Sequence, residues 1–304
     1  MRNTLVGIAA FGNFPFTKLA VESVFETSDA CDVFLVIGKN TDVETIDYAE
    51  QNGLSYVVHE YNKGFPYSIN DMYDFAWKEN DYENLIVMGN DTIVYPYAIA
   101  SMIEISDAGY EWVCAKQVDV RDLCITYPEC NQYFAEHSFS PLSLDHRCWE
   151  KFDQHSEEVD IQPVPMGDVH NFTLYKKSVM EKLGYIDVNF YPAYYSDNDY
   201  CRRAVNSGDI KSCTSGNSWY FHFWSRTIHE QQIDTNKHHG YFRKNREFYL
   251  AKWGGDFGQE AYTLPFNDNS AALGNEVVLY PTLNIETRDD EEKIIAFWRL
   301  VGGE

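Results

Sequence analysis

No Cys-x-x-Cys pair occurs among the seven cysteines, at positions 31, 114, 124, 130, 148, 201 and 213. With an odd count and no paired spacing, neither a disulfide framework nor a zinc ribbon is indicated, and a reducing compartment is expected. No apolar run approaches the roughly 20 residues that span a bilayer. The opening Met1-Arg2-Asn3-Thr4-Leu5 lacks the long apolar stretch of a signal peptide. The expectation is a soluble, cytoplasmic protein. A GxGxxG fingerprint is missing too, which argues against a classical dinucleotide-binding domain. Basic residues are scarce: 24 Lys and Arg face 47 Asp and Glu, a formal net charge of −23. Such a surface repels nucleic-acid phosphates and anionic membranes, whose binding relies on Lys and Arg displacing counterions. It suits an anionic ligand bridged by a divalent cation.

What is present is core-forming material. Hydrophobic residues make up 44% of the 304 and aromatics 16%, enough for one large domain, alone or with an extension. The first hundred residues alternate between strand and helix signals. Thr4 to Phe11, Asp32 to Ile37, Ser55 to His59 and Leu85 to Met88 are apolar, strand-like runs. Between them Phe16–Glu26, Val43–Gln51 and Ile69–Trp77 carry helical spacing, with Gly53 as one stop. That rhythm predicts an α/β protein with a mainly parallel sheet covered by helices on both faces. The pattern fails between about 111 and 165, and a long irregular stretch in such a fold is usually functional. It resumes at Asn171–Leu183 as a strand leading into a helix, and 228–304 reads as an acidic, aromatic extension.

The stretch "NLIVMGNDTIVYP", residues 84–96, breaks a buried strand with Gly89-Asn90-Asp91. Those residue types make a turn. They also make a ligand or metal site at the carboxyl end of a central strand, where open α/β sheets bind their ligands. Three further stretches accompany it. "NKGFPYSIND" holds Asn62, Gly64 and Asn70; "GYIDVNFYPAYYSDNDYCRRAVNSG" holds Asp187, Asp197 and Asp199; "HFWSRT" begins at His222.

In order and spacing, strand one followed by Phe14-Pro15, and then these four stretches, resemble the GT-A glycosyltransferases. Within them the resemblance is to the large inverting family-two group, over residues 4 to 227. It implies a GT-A domain over 1–227, with a donor half near 4–100 and an acceptor half near 101–227, followed by the 228–304 extension. The implied reaction moves a sugar from a nucleotide-sugar donor to a hydroxyl of a glycan, small molecule or other acceptor, with inversion. Residues implied on the donor side are Ala9, Phe11, Gly38, Asn40, Asn62, Gly64, Asn70, Gly89, Asn90 and Asp91. Gly167, Asp199 and Trp224 are implied on the acceptor side.

A departing diphosphate builds negative charge that a divalent cation neutralises as a Lewis acid. Hard cations such as Mn²⁺ or Mg²⁺ take oxygen ligands and need only one or two protein carboxylates when phosphates supply the rest. The resemblance thus gives Asp91 and His222 as metal ligands. Asp197 becomes the general base that takes the acceptor's proton on the face opposite the leaving group. Its bland reading is a helix cap with Asp199 in the first turn, and the two roles are compatible. Asp187 reads as a structural turn residue. The tyrosines and tryptophans at 191, 194, 195, 219, 220 and 224 are either core or faces for a sugar to stack on.

Two departures stand out. Where relatives carry Asp-Gly-Ser after strand two to read the nucleobase, this chain has Gly38-Lys39-Asn40 before Thr41-Asp42, so uridine is not specified. Gly89 replaces the first carboxylate of the DxD motif. The basic cluster "NKHHGYFRKNR" is either a lid over the donor diphosphate, an anion patch for the acceptor, or a helix face balancing surface acids. Glycosylation of modified bases in DNA, and non-catalytic nucleotide or carbohydrate binding, are the alternative functions.

Overall fold

Runs of β-branched and aliphatic residues become strands where both faces can be covered. The computed structural model describes residues 3–28, 31–119, 171–222 and 235–266. Strands β1 (Thr4–Ala10), β2 (Cys31–Ile37), β3 (Ser55–Val58) and β4 (Asn84–Gly89) alternate with helices α1 (Phe14–Thr27), α2 (Val43–Gln51) and α3 (Phe65–Asp74). All six residues of β4 are buried, as a strand packed on both faces requires. Proline in the first turn of α1 and of α3 presets the helical φ where no donor is lost. A π-helical turn, Phe75–Glu79, prolongs α3.

Beyond β4 lie β5 (Thr92–Val94), α4 (Ala98–Asp107), β6 (Trp112–Asp119), β7 (Phe172–Lys176), α5 (Lys177–Leu183), α6 (Ser196–Ser207), β8 (Ser212–His222) and α7 (Thr235–Trp253). The eight strands form one sheet in the order β3-β2-β1-β4-β7-β6-β8-β5. From β3 to β4 every pairing is parallel. The other half is mixed: β7 runs antiparallel to both β4 and β6, β8 is parallel to β6, and β5 is antiparallel to β8. The expected mainly parallel α/β sheet is therefore present, with its antiparallel pairings confined to one half. The unassigned stretch after residue 111 opens with the strand β6.

Two apolar layers flank the sheet. One packs α1 and α4 against Val6, Ile8, Ile86 and Met88; the other packs α3, α5 and α6 against Leu5, Leu85 and Val87. A third cluster gathers Phe248, Tyr249 and Trp253 of α7 with Val188 and Phe190 of the loop before α6. Among the described residues no helix is long and apolar enough to cross a membrane.

Under α7 lies a cluster of buried charges. Lys252 Nζ reaches Asp187 Oδ2 at 2.6 Å and Asp199 Oδ1 at 2.7 Å, all three side chains being 0% exposed. Arg203 closes on Asp199 Oδ2 with Nη2 at 2.7 Å and Nε at 3.0 Å, and donates to the carbonyls of Leu183 and Tyr185. Trp253 Nε1 donates to Asp199 Oδ1 at 2.9 Å. Asp187 Oδ1 accepts from the backbone N–H and side-chain amide of Asn189, confirming it as a structural residue. Asp199 has both oxygens committed and no exposed surface, so it does not face an acceptor; burial in this cluster is the physical reason.

Burial works to raise the Asp199 carboxyl, but Lys252 and Arg203 beside it hold it below its ordinary 3.8. A carboxylate whose folded value lies below its unfolded one stabilises the fold above that ordinary value. The contribution is lost as pH falls through the folded value. Lys252→Met should cost about 3–5 kcal/mol in urea unfolding, because it strands buried carboxylate charge. The same variant should begin acid unfolding at a higher pH than the wild type, read by tryptophan fluorescence.

Candidate functional site

The carboxyl ends of β1, β2 and β4 lie on one edge, since Ala9 is in register with both Val36 and Gly89. Chain order reverses about β1, between β2 and β4, and the crevice outside such a reversal is the usual ligand position in open α/β sheets. Ala9 and Phe11 of β1 and its loop, Gly38 and Asn40 after β2, and Gly89-Asn90-Asp91 after β4 all lie on this edge. Gly38 is buried under the Phe11 ring, over which Lys39 Nζ stands at 4.8 Å, while Asn40 is exposed.

Asp91 meets His222 because β5 pairs with β8 in a register that sets Thr92 opposite His222. His222 Nε2 stands 3.3 Å from Asp91 Oδ1, with side-chain exposures of 11% and 13%. Behind the ring, Nδ1 is 3.1 Å from Gln117 Oε1, which also accepts from Tyr220 Oη at 3.1 Å and Asn171 Nδ2 at 3.4 Å. With Nδ1 directed at that amide oxygen, Nε2 is the ring nitrogen that faces the carboxylate, and an imidazole nitrogen and a carboxylate so placed can share one hard cation. Adjacent ligands about 2.1 Å from one hard cation stand about 3 Å apart, which this pair matches. The backing of the imidazole by an oxygen acceptor is the usual support of a metal-ligating histidine. Among the described residues no third His, Cys, Asp or Glu joins them. The pair thus fits a cation that draws its remaining ligands from phosphate and water. Gly89 gives the carboxylate room, since a Cβ there would lie 3.2 Å from Asp91 Oδ1.

Asn90 has a different job from the one its motif implies. It is 5% exposed, and its Nδ2 donates to the Gly12 carbonyl at 3.1 Å and to Thr17 Oγ1 at 2.9 Å. It ties the turn to the β1–α1 loop. In that loop Asn13 adopts a left-handed backbone, and its Nδ2 is buried with no hydrogen-bond partner. Asp42 is the carboxylate that sequence reasoning passed over. It stands at the N-terminus of α2 without capping it; instead its Oδ2 accepts from the Gly12 N–H at 2.8 Å. Burial pushes its carboxyl up, against the Gly12 N–H and Lys39. Its sequence signal is its place at the end of the Gly38-Lys39-Asn40-Thr41-Asp42 stretch after strand two.

The "NKGFPYSIND" residues act as a clamp. Asn62 Oδ1 accepts from Gly64 N at 2.8 Å, and the Asn62 carbonyl accepts from Tyr191 Oη at 3.2 Å. Gly64 holds φ +89°, where a Cβ would strike Tyr191 and Pro192, and Phe65 N donates to the Pro192 carbonyl at 2.7 Å. Asn70 is 0% exposed, and its amide spans the Ile186 backbone, donating to the carbonyl at 2.9 Å and accepting from the N–H at 2.8 Å. A side chain so committed does not reach a donor, which corrects the expectation for Asn70. The clamp joins α3 to the loop that leads into α6, whose first turn carries Asp197.

Asp197, in the first turn of α6, lines a cavity of about 250 Å³ with Tyr194, Tyr195, Asn198, Phe242 and Phe257. Burial and the charge of Asp91 push the Tyr194 hydroxyl up to about 12. Tyr194 thus stands both on the wall of the Asp197 cavity and within the field of the Asp91 carboxylate. Tyr220 is core, Tyr191 serves the clamp, and Trp219 lies under Lys116 Nζ at 5.1 Å. Gly167 and Trp224 lie outside the described residues, as do the side chains of Lys237, His238 and His239. Arg246, from the same basic cluster, pairs with Asp256.

The crevice and the layered sheet define a Rossmann-like α/β fold of the GT-A type. Among solved structures the chain is similar to the mannosyltransferase PcManGT from Pyrobaculum calidifontis, in complex with GDP-Man and Mn²⁺. The TM-score is 0.51 at 12% identity, over 99% of this chain and 76% of that one. No protein-family model matches, and no curated protein does.

If Gln117 orients the imidazole for a cation, Gln117→Leu should weaken Mn²⁺ binding about 10–100-fold. Asp91→Ala should reduce it at least as much, both read by electron paramagnetic resonance of free Mn²⁺ without any substrate.

Proposed function

We propose that this chain is a glycosyltransferase that moves a sugar from a nucleotide donor to an acceptor hydroxyl, with inversion. The observation that carries this reading is the Asp91–His222 pair, 3.3 Å apart at the carboxyl edge of the sheet and backed by Gln117. A fold similar to a mannosyltransferase in complex with GDP-Man and Mn²⁺ supports it.

In this reading Asp91 and His222 hold a Mn²⁺ or Mg²⁺ ion, which supplies Lewis-acid charge to the donor diphosphate. Ala9, Phe11, Gly38, Asn40 and Asp42 border the nucleoside, and Asn90 fixes the turn that aims Asp91. Asn62 and Gly64 shape the far rim of the donor crevice. Asp197 takes the acceptor's proton as its oxygen attacks the anomeric carbon. It is half-buried, so its carboxylate meets both water and a ligand in the cavity. Residues 1–227 form the transferase domain and 228–304 the extension, whose α7 covers the acceptor side. The enzyme works in the cytoplasm.

The test begins with thermal shift against a panel of sugar nucleotides that includes GDP-mannose, with and without Mn²⁺. One donor should raise the melting temperature in a Mn²⁺-dependent manner, and Asp91→Ala should lose that dependence. With that donor, Asp197→Asn should keep the shift yet turn over at least about 100-fold more slowly. A donor shift with no turnover in the wild type would leave a nucleotide-sugar binder in place of an enzyme.

A further inference from the structure

The cavity beside Asp197 is walled in large part from outside the α/β core. Four of its six lining residues are aromatic, and two of those, Phe242 of α7 and Phe257 after it, belong to the C-terminal extension. We propose that this cavity seats one neutral pyranoside ring as the acceptor, stacked on Phe242, so that the extension selects the acceptor. The proposal rests on the transferase reading above and deepens it.

Shape and size come first. At about 250 Å³ the cavity falls below the roughly 300–1,000 Å³ typical of drug-sized ligands, so it suits a single ring. Phe242 is 44% exposed although it packs edge-on against Tyr194, with centroids 5.5 Å apart, and tilted against Tyr195 at 5.4 Å. An exposed aromatic face set among other aromatics is a stacking platform. The apolar C–H face of a pyranose covers such a ring, while its hydroxyls meet Asp197, Asn198 and the tyrosine hydroxyls at the margin.

Charge decides against an anionic acceptor. None of the six lining residues is a cation. Arg246, which meets the lining Tyr195, is paired with Asp256, and Lys252 is buried between Asp187 and Asp199. A phosphate or carboxylate in this cavity would face the carboxylate of Asp197 and find Arg246 already paired.

Strain points the same way. Tyr194 and Tyr195 both hold a left-handed backbone, φ 75° and 64°, which bulky residues rarely adopt and which clusters at ligand sites. Asn245 of α7 holds this loop from behind, its Nδ2 donating to the carbonyls of Ala193 at 2.5 Å and Tyr194 at 3.2 Å. Helix α7 therefore both fixes the tyrosine wall and provides the ring opposite it.

The test uses the full chain with Mn²⁺ and the donor's nucleoside diphosphate. Saturation-transfer NMR at millimolar concentration would compare methyl α- and β-hexopyranosides with the matching hexose 6-phosphates. At least one neutral methyl glycoside should bind better than its phosphate. Phe242→Ala and Phe242→Leu should weaken it about tenfold, and Phe242→Trp should restore it. In all three variants the donor-driven thermal shift should be unchanged. Tighter binding of the phosphates, no binding of any glycoside, or equal affinity in Phe242→Ala would overturn the proposal. Absence of a donor shift in the wild type, with glycoside binding intact, would instead sink the transferase reading and leave this site standing.

Discussion

Four charges sealed from water, Asp187, Asp199, Arg203 and Lys252, hold helices α6 and α7 of this molecule together. Such a cluster adds little net stability over apolar packing, yet removing any member leaves an uncompensated charge in a low dielectric. That asymmetry makes it a register device. Asp199 lies two residues beyond Asp197 on α6, so its two cations fix the rotation of the turn that carries the proposed base. Lys252 comes from α7, and the same contact therefore sets where Phe242 and Asn245 fall relative to that turn. One buried ammonium aligns the proposed base, the cavity wall and the left-handed tyrosine loop.

The edge at the carboxyl ends of β1, β2 and β4 is built differently. Its parts are joined by hydrogen bonds to backbone: Asn90 and Asp42 both converge on Gly12, and the Asn62–Asn70 clamp takes hold of Ile186 and Pro192. At its carboxyl edge Asp91 and His222 face each other, with Gln117 behind the ring. A rigid frame suits a binding site, because preformed groups need no reordering when a ligand arrives.

Much of the fold in the first hundred residues was legible because its strands are continuous apolar runs and its helices keep a clean period. Helix α2 falls on Val43–Gln51, as read from spacing. The other half was not. Strand β8, "SCTSGNSWYFH", interleaves small polar residues with aromatics, and its burial comes from partners distant in the chain. Antiparallel β7 leaves no local trace of its direction. Asn70 was read as a ligand contact because its motif places an amide there, whereas its true partner, Ile186, lies 116 residues away. Gln117 fell in the stretch that spacing left unassigned. Phe242 lies inside a segment dominated by basic residues, one of which, Arg246, is paired with Asp256.

Tyr194 is where the two edges meet. Burial and the charge of Asp91 hold its hydroxyl near 12, so at neutral pH it stays a neutral donor. Asparagine 245 and the clamp fix its backbone, and the aromatic wall fixes its ring. A cation held by Asp91 would cancel the part of that shift owed to the carboxylate, while the part owed to burial would remain. The phenol would still be protonated, and only its strength as a donor would change. Whatever enters the Asp197 cavity thus meets a neutral, protonated phenol beside the Asp197 carboxylate.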